Sequence, residues 1–149
     1  AARAWRRGGS QEDMWAVAER YRAWSRPGTL AVVARAHFEQ HTFLALFGEG
    51  PTARSQARAY YRGLEVREAL LAASEEVLNP PADADPYALR LADGWLARTL
   101  VAAGQGRAAR AHLRRLRGHV DPTVWTKGAG LPPWANYWLT RVRATLLLG

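Results

Sequence analysis

The sequence predicts an all-α protein, and three observations support that prediction. Apolar residues recur at spacings of three and four along most of the chain. Proline, glycine and capping residues divide this pattern into segments, and no segment alternates strictly between apolar and polar residues as a half-buried strand does. With 149 residues, 48% of them hydrophobic, the chain is long enough for one domain with its own core.

The first half of the chain contains three of six predicted main helices. The first begins at Ser10, a residue type that caps helices, and ends near Ser25. The second spans about 30–47 and is expected to be the most buried helix. The third runs from Thr52 to about Leu78, and Gly63 in its interior predicts a kink or a close helix contact.

The second half begins after a predicted linker at residues 79–85. Asp85 then caps a fourth helix, with Pro86 at its first position, that reaches about Ala103. Three further elements follow: a fifth helix ending near Gly118, a short turn at 121–122 and a last helix over about 133–148. Short connections favour antiparallel hairpins of neighbouring helices.

We predict one domain over residues 1–149, cut from a longer chain. The sequence begins without Met and ends on an apolar stretch at 144–149, which would pack well against a further segment. It has no signal-peptide pattern and no run of 18 apolar residues, so we expect no membrane span and a cytoplasmic location. The absence of cysteine excludes disulfides, thiolate metal sites and cysteine nucleophiles.

The charge of the chain is concentrated near its end. Residues 1–93 contain 12 basic and 12 acidic residues, whereas residues 94–149 contain nine basic residues and one acid, Asp121, so this part carries the net charge of +8. A one-sided surplus of this kind indicates an anionic partner. The alternative explanation is coding bias, because 20 of the 21 basic residues are Arg.

The stretch from Leu89 to Leu116 resembles a tetratricopeptide-type helix pair. The large and small positions of that pattern fall on Leu96, Ala97, Leu100, Ala109, Leu113 and Leu116. Two features depart from it: the early Trp position of the family is occupied by Asp93, and the closing Pro is missing. The interval from Gly104 to Gly149 is also 45 residues, where the repeat has 34.

The resemblance implies a right-handed array of helical hairpins, with a groove for a protein or peptide partner and no catalysis. Such repeats occur in many interaction proteins, including the regulatory parts of bacterial transcription factors. We therefore predict a non-enzymatic interaction module that scaffolds a protein or peptide partner, with an unrelated helical bundle as the alternative fold. The sequence does not indicate an oligomeric state.

The candidate binding residues form two groups. The arginine row, on the predicted fifth helix, consists of Arg107, Arg110, Arg114 and Arg117. The second group, on the last helix, consists of Trp134, Trp138 and Arg141. With Arg143, these residues would suit nucleic acid if they formed one surface, since arginines contact phosphates and indoles stack on bases. The alternatives are a solvated arginine face and two indoles that fill the core.

No catalytic or cofactor-binding pattern was found. His37 and His41 share a helix face and could ligate a metal, but no third ligand follows at a matching spacing, so we expect a structural role. The chain lacks a phosphate-binding glycine loop, a Gly-x-Ser-x-Gly motif and a Glu-x-x-His pair. We predict no catalytic residues, no metal and no cofactor.

Overall fold

The chain folds into helices throughout the part of it that the structure describes. The computed structural model describes residues 10–24, 27–48, 50–126 and 130–146. Seven helices of ten or more residues are present there: α1 (Gln11–Arg22), α2 (Pro27–Phe47), α3 (Gly50–Ala59), α4 (Leu64–Leu78), α5 (Pro86–Ala102), α6 (Gly106–Leu116) and α8 (Pro133–Leu146). A 3-10 turn (Tyr60–Arg62) and a single helical turn, α7 (Pro122–Trp125), complete the elements. These residues contain no strand, which confirms the all-α prediction.

The predicted third helix is in fact two helices, so the expected count of six was wrong. The chain leaves α3 through the 3-10 turn, and α4 begins directly after Gly63. Gly63 has φ −58° and ψ 135°, which is not a helical conformation. Glycine costs about 1 kcal/mol relative to alanine inside a helix, so the break falls where continuing the helix is least favourable.

The predicted helix starts at Ser10 and Asp85 are confirmed, and the predicted short turn at 121–122 is the start of α7. The Ser10 hydroxyl accepts a hydrogen bond from the Asp13 amide, and the Asp13 carboxylate accepts one from the Ser10 amide, both at 3.0 Å. Asp85 accepts from two amides of the first turn of α5, and Asp121 accepts from the Thr123 amide at 2.7 Å. Each cap satisfies backbone donors that have no partner within their own helix.

The most buried helix is α5, which corrects the prediction that named the second helix. It packs against α2, α4, α6, α7 and α8. Residues 92–101 of α5 are all buried apart from the half-buried Arg98, as expected of a helix with neighbours on all sides. By contrast, α2 ends with exposed Leu46 and Phe47.

The helices α5 and α6 form an antiparallel hairpin around a turn at Gly104, whose φ is +74°. Asp93 contacts His112 across the pair, and the two residues lie on opposite sides of the turn in sequence. The apolar positions that carry the tetratricopeptide resemblance, from Leu96 to Leu116, are buried. The hairpin is thus present, whereas the repeat arrangement stays a prediction.

One large core joins α2 and the 3-10 turn to the helices from α4 to α8. A smaller cluster of Met14, Ala18 and Ala36 attaches α1 to α2. The predicted linker at 79–85 connects two helices, α4 and α5, that pack on each other. Within the described ranges, no helix combines the length and apolar character that crossing a bilayer requires. The predictions for residues 1–9 and 147–149 fall outside the described residues.

Candidate binding surfaces and a buried polar network

Helix α8 is held against the rest of the fold along one edge. Asn136 donates through Nδ2 to the carbonyl oxygens of Trp125, at 2.8 Å, and Leu131, at 3.2 Å. The Tyr137 ring meets the Trp125 ring edge-on, with centroids 5.2 Å apart. Ala144 continues the buried edge two turns later. These contacts fix the rotation of α8 and leave its two flanks accessible.

One flank of α8 exposes large apolar side chains. Trp134, Trp138 and Val142 are 63%, 54% and 51% exposed. They are spaced four residues apart, so they follow one another along the helix surface. The guanidinium carbon of Arg141 lies 5.2 Å from the Trp138 ring centroid. We call Trp134, Trp138, Arg141 and Val142 the α8 strip; its two indoles do not fill the core.

The arginine row lies on the side of α6 opposite its buried residues. Arg107, Arg114 and Arg117 are exposed and Arg110 is half-buried. Arg117 follows the last residue of the helix with φ 49°, in the left-handed region. Among the described residues, no carboxylate lies within ion-pair distance of these four arginines.

The other arginines near these surfaces, Arg115, Arg141 and Arg143, have different surroundings. Arg141 lies over Trp138, whereas Arg143, two residues further along the helix, lines a cleft on the other flank. Residues two apart on a helix do not share a face. Arg115, which lies beside the arginine row, is paired with Asp93, whose Oδ2 lies 3.3 Å from the Arg115 Nε. The arginines of α6 and α8 therefore do not all lie on one surface, as a nucleic acid site made from all of them would require.

A cleft of about 650 Å³ opens between α2, the 3-10 turn, α5 and α8. Its walls combine apolar side chains with three basic ones: Phe38, Tyr61, Val101, Leu139, Leu146, His41, Arg98 and Arg143. Burial lowers the pKa of His41 below its usual value, so its imidazole is neutral at pH 7. No described Asp or Glu lines the cleft. No sequence pattern predicts this cleft, because its walls come from four separate elements.

Arg98 joins the wall of the cleft to the core. Its Nη1 donates to the carbonyl oxygen of Val124, and its guanidinium carbon lies 4.5 Å from the Phe38 ring centroid and 5.8 Å from that of Trp125. Burial lowers the pKa of Arg98 to about 10. The guanidinium thus stays charged at neutral pH while lying against aromatic rings.

A serine, a histidine and an aspartate form a hydrogen-bonded chain inside the fold. The His112 Nδ1 lies 2.7 Å from the Asp93 Oδ1, and the His112 Nε2 lies 2.7 Å from the Ser74 Oγ. A carboxylate only accepts, so Nδ1 carries the hydrogen of the first bond. Arg115 completes the network by donating to the Val77 carbonyl oxygen at 2.7 Å.

The order of these groups matches a nucleophile, a base and an orienting acid, but the site gives a substrate no access. Ser74 and Asp93 are each 3% exposed and His112 is fully buried. Neither the cleft nor the second described pocket, near Tyr87 and His119, is lined by Ser74. We therefore assign the network to helix packing.

No sequence motif predicts this network, because its members lie 19 and 38 residues apart. A signal was nevertheless present: each residue is a polar side chain at a core-facing position of its helix. Asp93 in particular occupies the position at which the tetratricopeptide pattern has a large apolar residue. Buried polar residues of this kind require partners on neighbouring elements.

His37 and His41 belong to an aromatic cluster. The His37 Nδ1 lies 2.9 Å from the Tyr60 hydroxyl, and the His41 ring centroid lies 5.0 Å from that of Tyr61. Burial, together with the charge of Arg22, lowers the pKa of His37 to about 4. The described ranges contain no group of three His, Cys, Asp or Glu residues placed to hold a metal.

No protein-family model matches the chain, and no curated protein or solved structure is significantly similar to it.

Proposed function

We propose that this chain is a non-enzymatic helical interaction module, and that its α8 strip docks an acidic segment of a protein partner. The observation that carries the proposal is the pair of exposed indoles, Trp134 and Trp138, on a helix whose opposite edge is anchored in the core. Water-exposed tryptophans are costly unless a partner covers them, and large exposed apolar patches on globular proteins mark interaction surfaces.

The side chains of the strip are of the types that dominate protein interfaces. Tryptophan and arginine are enriched among the residues that carry most of the binding energy. From Trp134 to Val142 the strip extends about 12 Å along the helix, at a rise of about 1.5 Å per residue. That length suits a short helical or extended segment with two or three apolar side chains.

The charge of the surrounding surface favours an acidic partner. Arg141 is part of the strip, and α6, which carries the arginine row, packs against α8. The chain as a whole has a net charge of +8. Complementary charge accelerates association and discriminates against basic competitors.

Nucleic acid binding is the competing function, and the arginine row favours it because no described carboxylate neutralises the four arginines. Each phosphate contact would release counterions and make the affinity strongly dependent on salt. The separation of Arg141 from Arg143, and the engagement of Arg115 by Asp93, divide the basic residues among several surroundings. This division favours a protein partner.

The tetratricopeptide resemblance supports the same class of function. Arrays of helical hairpins commonly scaffold other proteins. In this proposal the chain is the regulatory part of a larger cytoplasmic protein. It binds its partner and does not modify it covalently.

The test is a selection of random peptides displayed on phage against the full 149-residue chain. Selected peptides are synthesised and their affinities measured by fluorescence anisotropy for the chain and for the Trp134→Ala/Trp138→Ala variant. Trp24→Ala is the matched control, because Trp24 is equally exposed but lies after α1. We expect acidic peptides with apolar residues, an affinity loss of about tenfold or more in the double variant, and no loss in the control.

The proposal fails if no peptide is enriched, if the enriched peptides lack acidic residues, or if they bind the double variant as well as the parent chain. A parallel measurement uses labelled duplex and single-stranded DNA and RNA at about 50 and about 200 mM salt. Binding that falls steeply with salt, and that is lost in the Arg110→Ala/Arg114→Ala variant, would establish the nucleic acid function instead.

A further inference from the structure

The cleft between α5 and α8 has the size of a site for a small organic molecule. Its volume of about 650 Å³ lies within the range of about 300–1,000 Å³ that such sites occupy. Its walls come from helices that pack directly on one another, so the cavity is present without a conformational change. The α8 strip lies on the other flank of α8, so the inference below does not depend on the proposed function.

The walls of the cleft suit an apolar body. Phe38, Val101, Leu139 and Leu146 present aliphatic and aromatic surface, and Tyr61 is buried behind it. Most of the residues that line the cleft are apolar or aromatic, as in most sites for small organic ligands. A hydrocarbon or aromatic group that binds there would be removed from water and would contact these side chains, which is favourable.

The charged groups of the cleft suit an anion. Arg98 and Arg143 both line it, and no described Asp or Glu does. An arginine guanidinium matches the geometry of a carboxylate with two parallel N–H donors. Attraction between charges is stronger beside aromatic and aliphatic walls than in open water, because the effective dielectric constant is lower there.

From these observations we infer that the cleft binds a small amphipathic carboxylate, with its apolar body against Phe38 and Leu139 and its carboxylate at Arg143. A single negative charge suits this setting better than a phosphate does, because an apolar wall makes each additional charge costly to desolvate. Arg143 is the exposed cation at the mouth of the cleft, and Arg98 supplies positive charge from its wall.

The test compares three probes of equal chain length: octanoate, octanol and octylamine. Each is titrated into the full chain by isothermal calorimetry, and its position is mapped by protein NMR. We expect octanoate to bind saturably, one molecule per chain, with shifts at the cleft residues. We expect octanol to bind at least about tenfold more weakly, as the loss of a charge-assisted hydrogen bond predicts, and octylamine not to bind.

Two pairs of variants on α8 locate the site. Arg143→Gln removes the cation of the cleft, and Arg141→Gln removes one on the other flank. We expect the first to weaken octanoate binding about tenfold or more and the second to leave it within about twofold. Leu139→Glu places a carboxylate in the cleft and should abolish binding, whereas Thr145→Glu, at an exposed position of α8 that does not line the cleft, should not.

All four positions are exposed, so the variants should fold, which circular dichroism verifies. The inference is overturned if octanoate does not saturate, if octanol binds as tightly as octanoate, or if Arg143→Gln and Arg141→Gln weaken binding equally. The same holds if the NMR shifts map to the α8 strip, because binding would then reflect exposed indoles.

Discussion

The Nδ1 atom of His112 lies 2.7 Å from the Oδ1 atom of Asp93, deep between α5 and α6. The other ring nitrogen reaches Ser74 on α4, so one imidazole joins three helices. Isolated buried charges are costly, and Asp93 avoids that cost through His112 and Arg115. We expect this network to favour one alignment of the three helices, because other alignments would leave its buried polar groups without partners.

Replacing Asp93 with alanine should strongly destabilise the fold. The substitution leaves the His112 ring buried without an acceptor and deprives Arg115 of its carboxylate. Breaking a buried pair by removing one partner typically costs about 3–5 kcal/mol. We expect urea unfolding to show a loss of about 3 kcal/mol in the free energy of unfolding.

Asp83→Ala is the matched control for this substitution. Asp83 is an exposed aspartate in the connection between α4 and α5, and its replacement should change stability by less than about 0.5 kcal/mol. Equal losses in the two variants would show that the network does not stabilise the fold.

Gly94 allows α7 to approach α5. The effect of Gly94→Ala on the free energy of unfolding should change sign when Val124, its partner on α7, is replaced by alanine. A Cβ atom at Gly94 would lie 3.2 Å from both Cγ atoms of Val124, which is fully buried. Gly94→Ala should therefore lower the free energy of unfolding by about 1 kcal/mol, because overpacking outweighs the better helix propensity of alanine.

In a Val124→Ala background the clash is gone, and Gly94→Ala should instead stabilise the fold by up to about 1 kcal/mol. A double-mutant cycle based on chemical denaturation measures both values. A destabilising effect of the same size in both backgrounds would contradict the close approach of Gly94 and Val124.

Local signals predicted most of the helices, because caps and breaks depend on residues that are neighbours in sequence. Ser10 and Asp85 cap helices as expected. Gly63 was correctly identified as the weak point of the third helix, but a kink and a complete break have the same local signal. The difference depends on how α3 and α4 pack, which periodicity does not report.

The candidate surfaces were predicted in part, since periodicity places residues on a helix face but does not say which face is covered. It placed Trp134 and Trp138 on one helix face and the four arginines of the row on another. It did not decide whether the two indoles are exposed or buried. The cleft required Phe38, Tyr61, Arg98 and Arg143 to meet from four elements. Such convergence depends on tertiary packing and has no signature within any one segment.

Arg98 should not be replaceable by lysine without loss of stability. Its planar guanidinium lies against Phe38 and Trp125 and also donates to the Val124 carbonyl oxygen. Lysine keeps the charge but loses the planar contacts with both rings. We expect Arg98→Lys to lower the free energy of unfolding by about 1–2 kcal/mol, measured in urea.

Arg90→Lys provides the control for Arg98, because Arg90 is an exposed arginine on the same helix, 6.0 Å from the Tyr87 ring centroid. Its replacement should cost less than about 0.5 kcal/mol. If both substitutions cost the same, burial of the Arg98 guanidinium would not matter to the fold.

His37 should make the stability of the fold depend on pH. Burial, and secondarily the charge of Arg22, lowers its pKa from 6.5 to about 4. Between these two values the unfolded chain binds a proton at His37 that the folded chain does not bind. Protonation therefore favours unfolding, and the stability present above pH 6.5 decreases as the pH falls towards 4. The expected loss is about 3 kcal/mol, at about 1.4 kcal/mol per pKa unit.

The variant His37→Gln isolates this contribution, because glutamine does not titrate. Urea unfolding at a series of pH values should show that the stability difference between the parent chain and His37→Gln shrinks as the pH falls from 6.5 to 4. Carboxylates that titrate in the same range contribute to both proteins and cancel in the difference. A stability difference for His37→Gln that stays constant with pH would mean that His37 binds its proton equally well in the folded and unfolded chain.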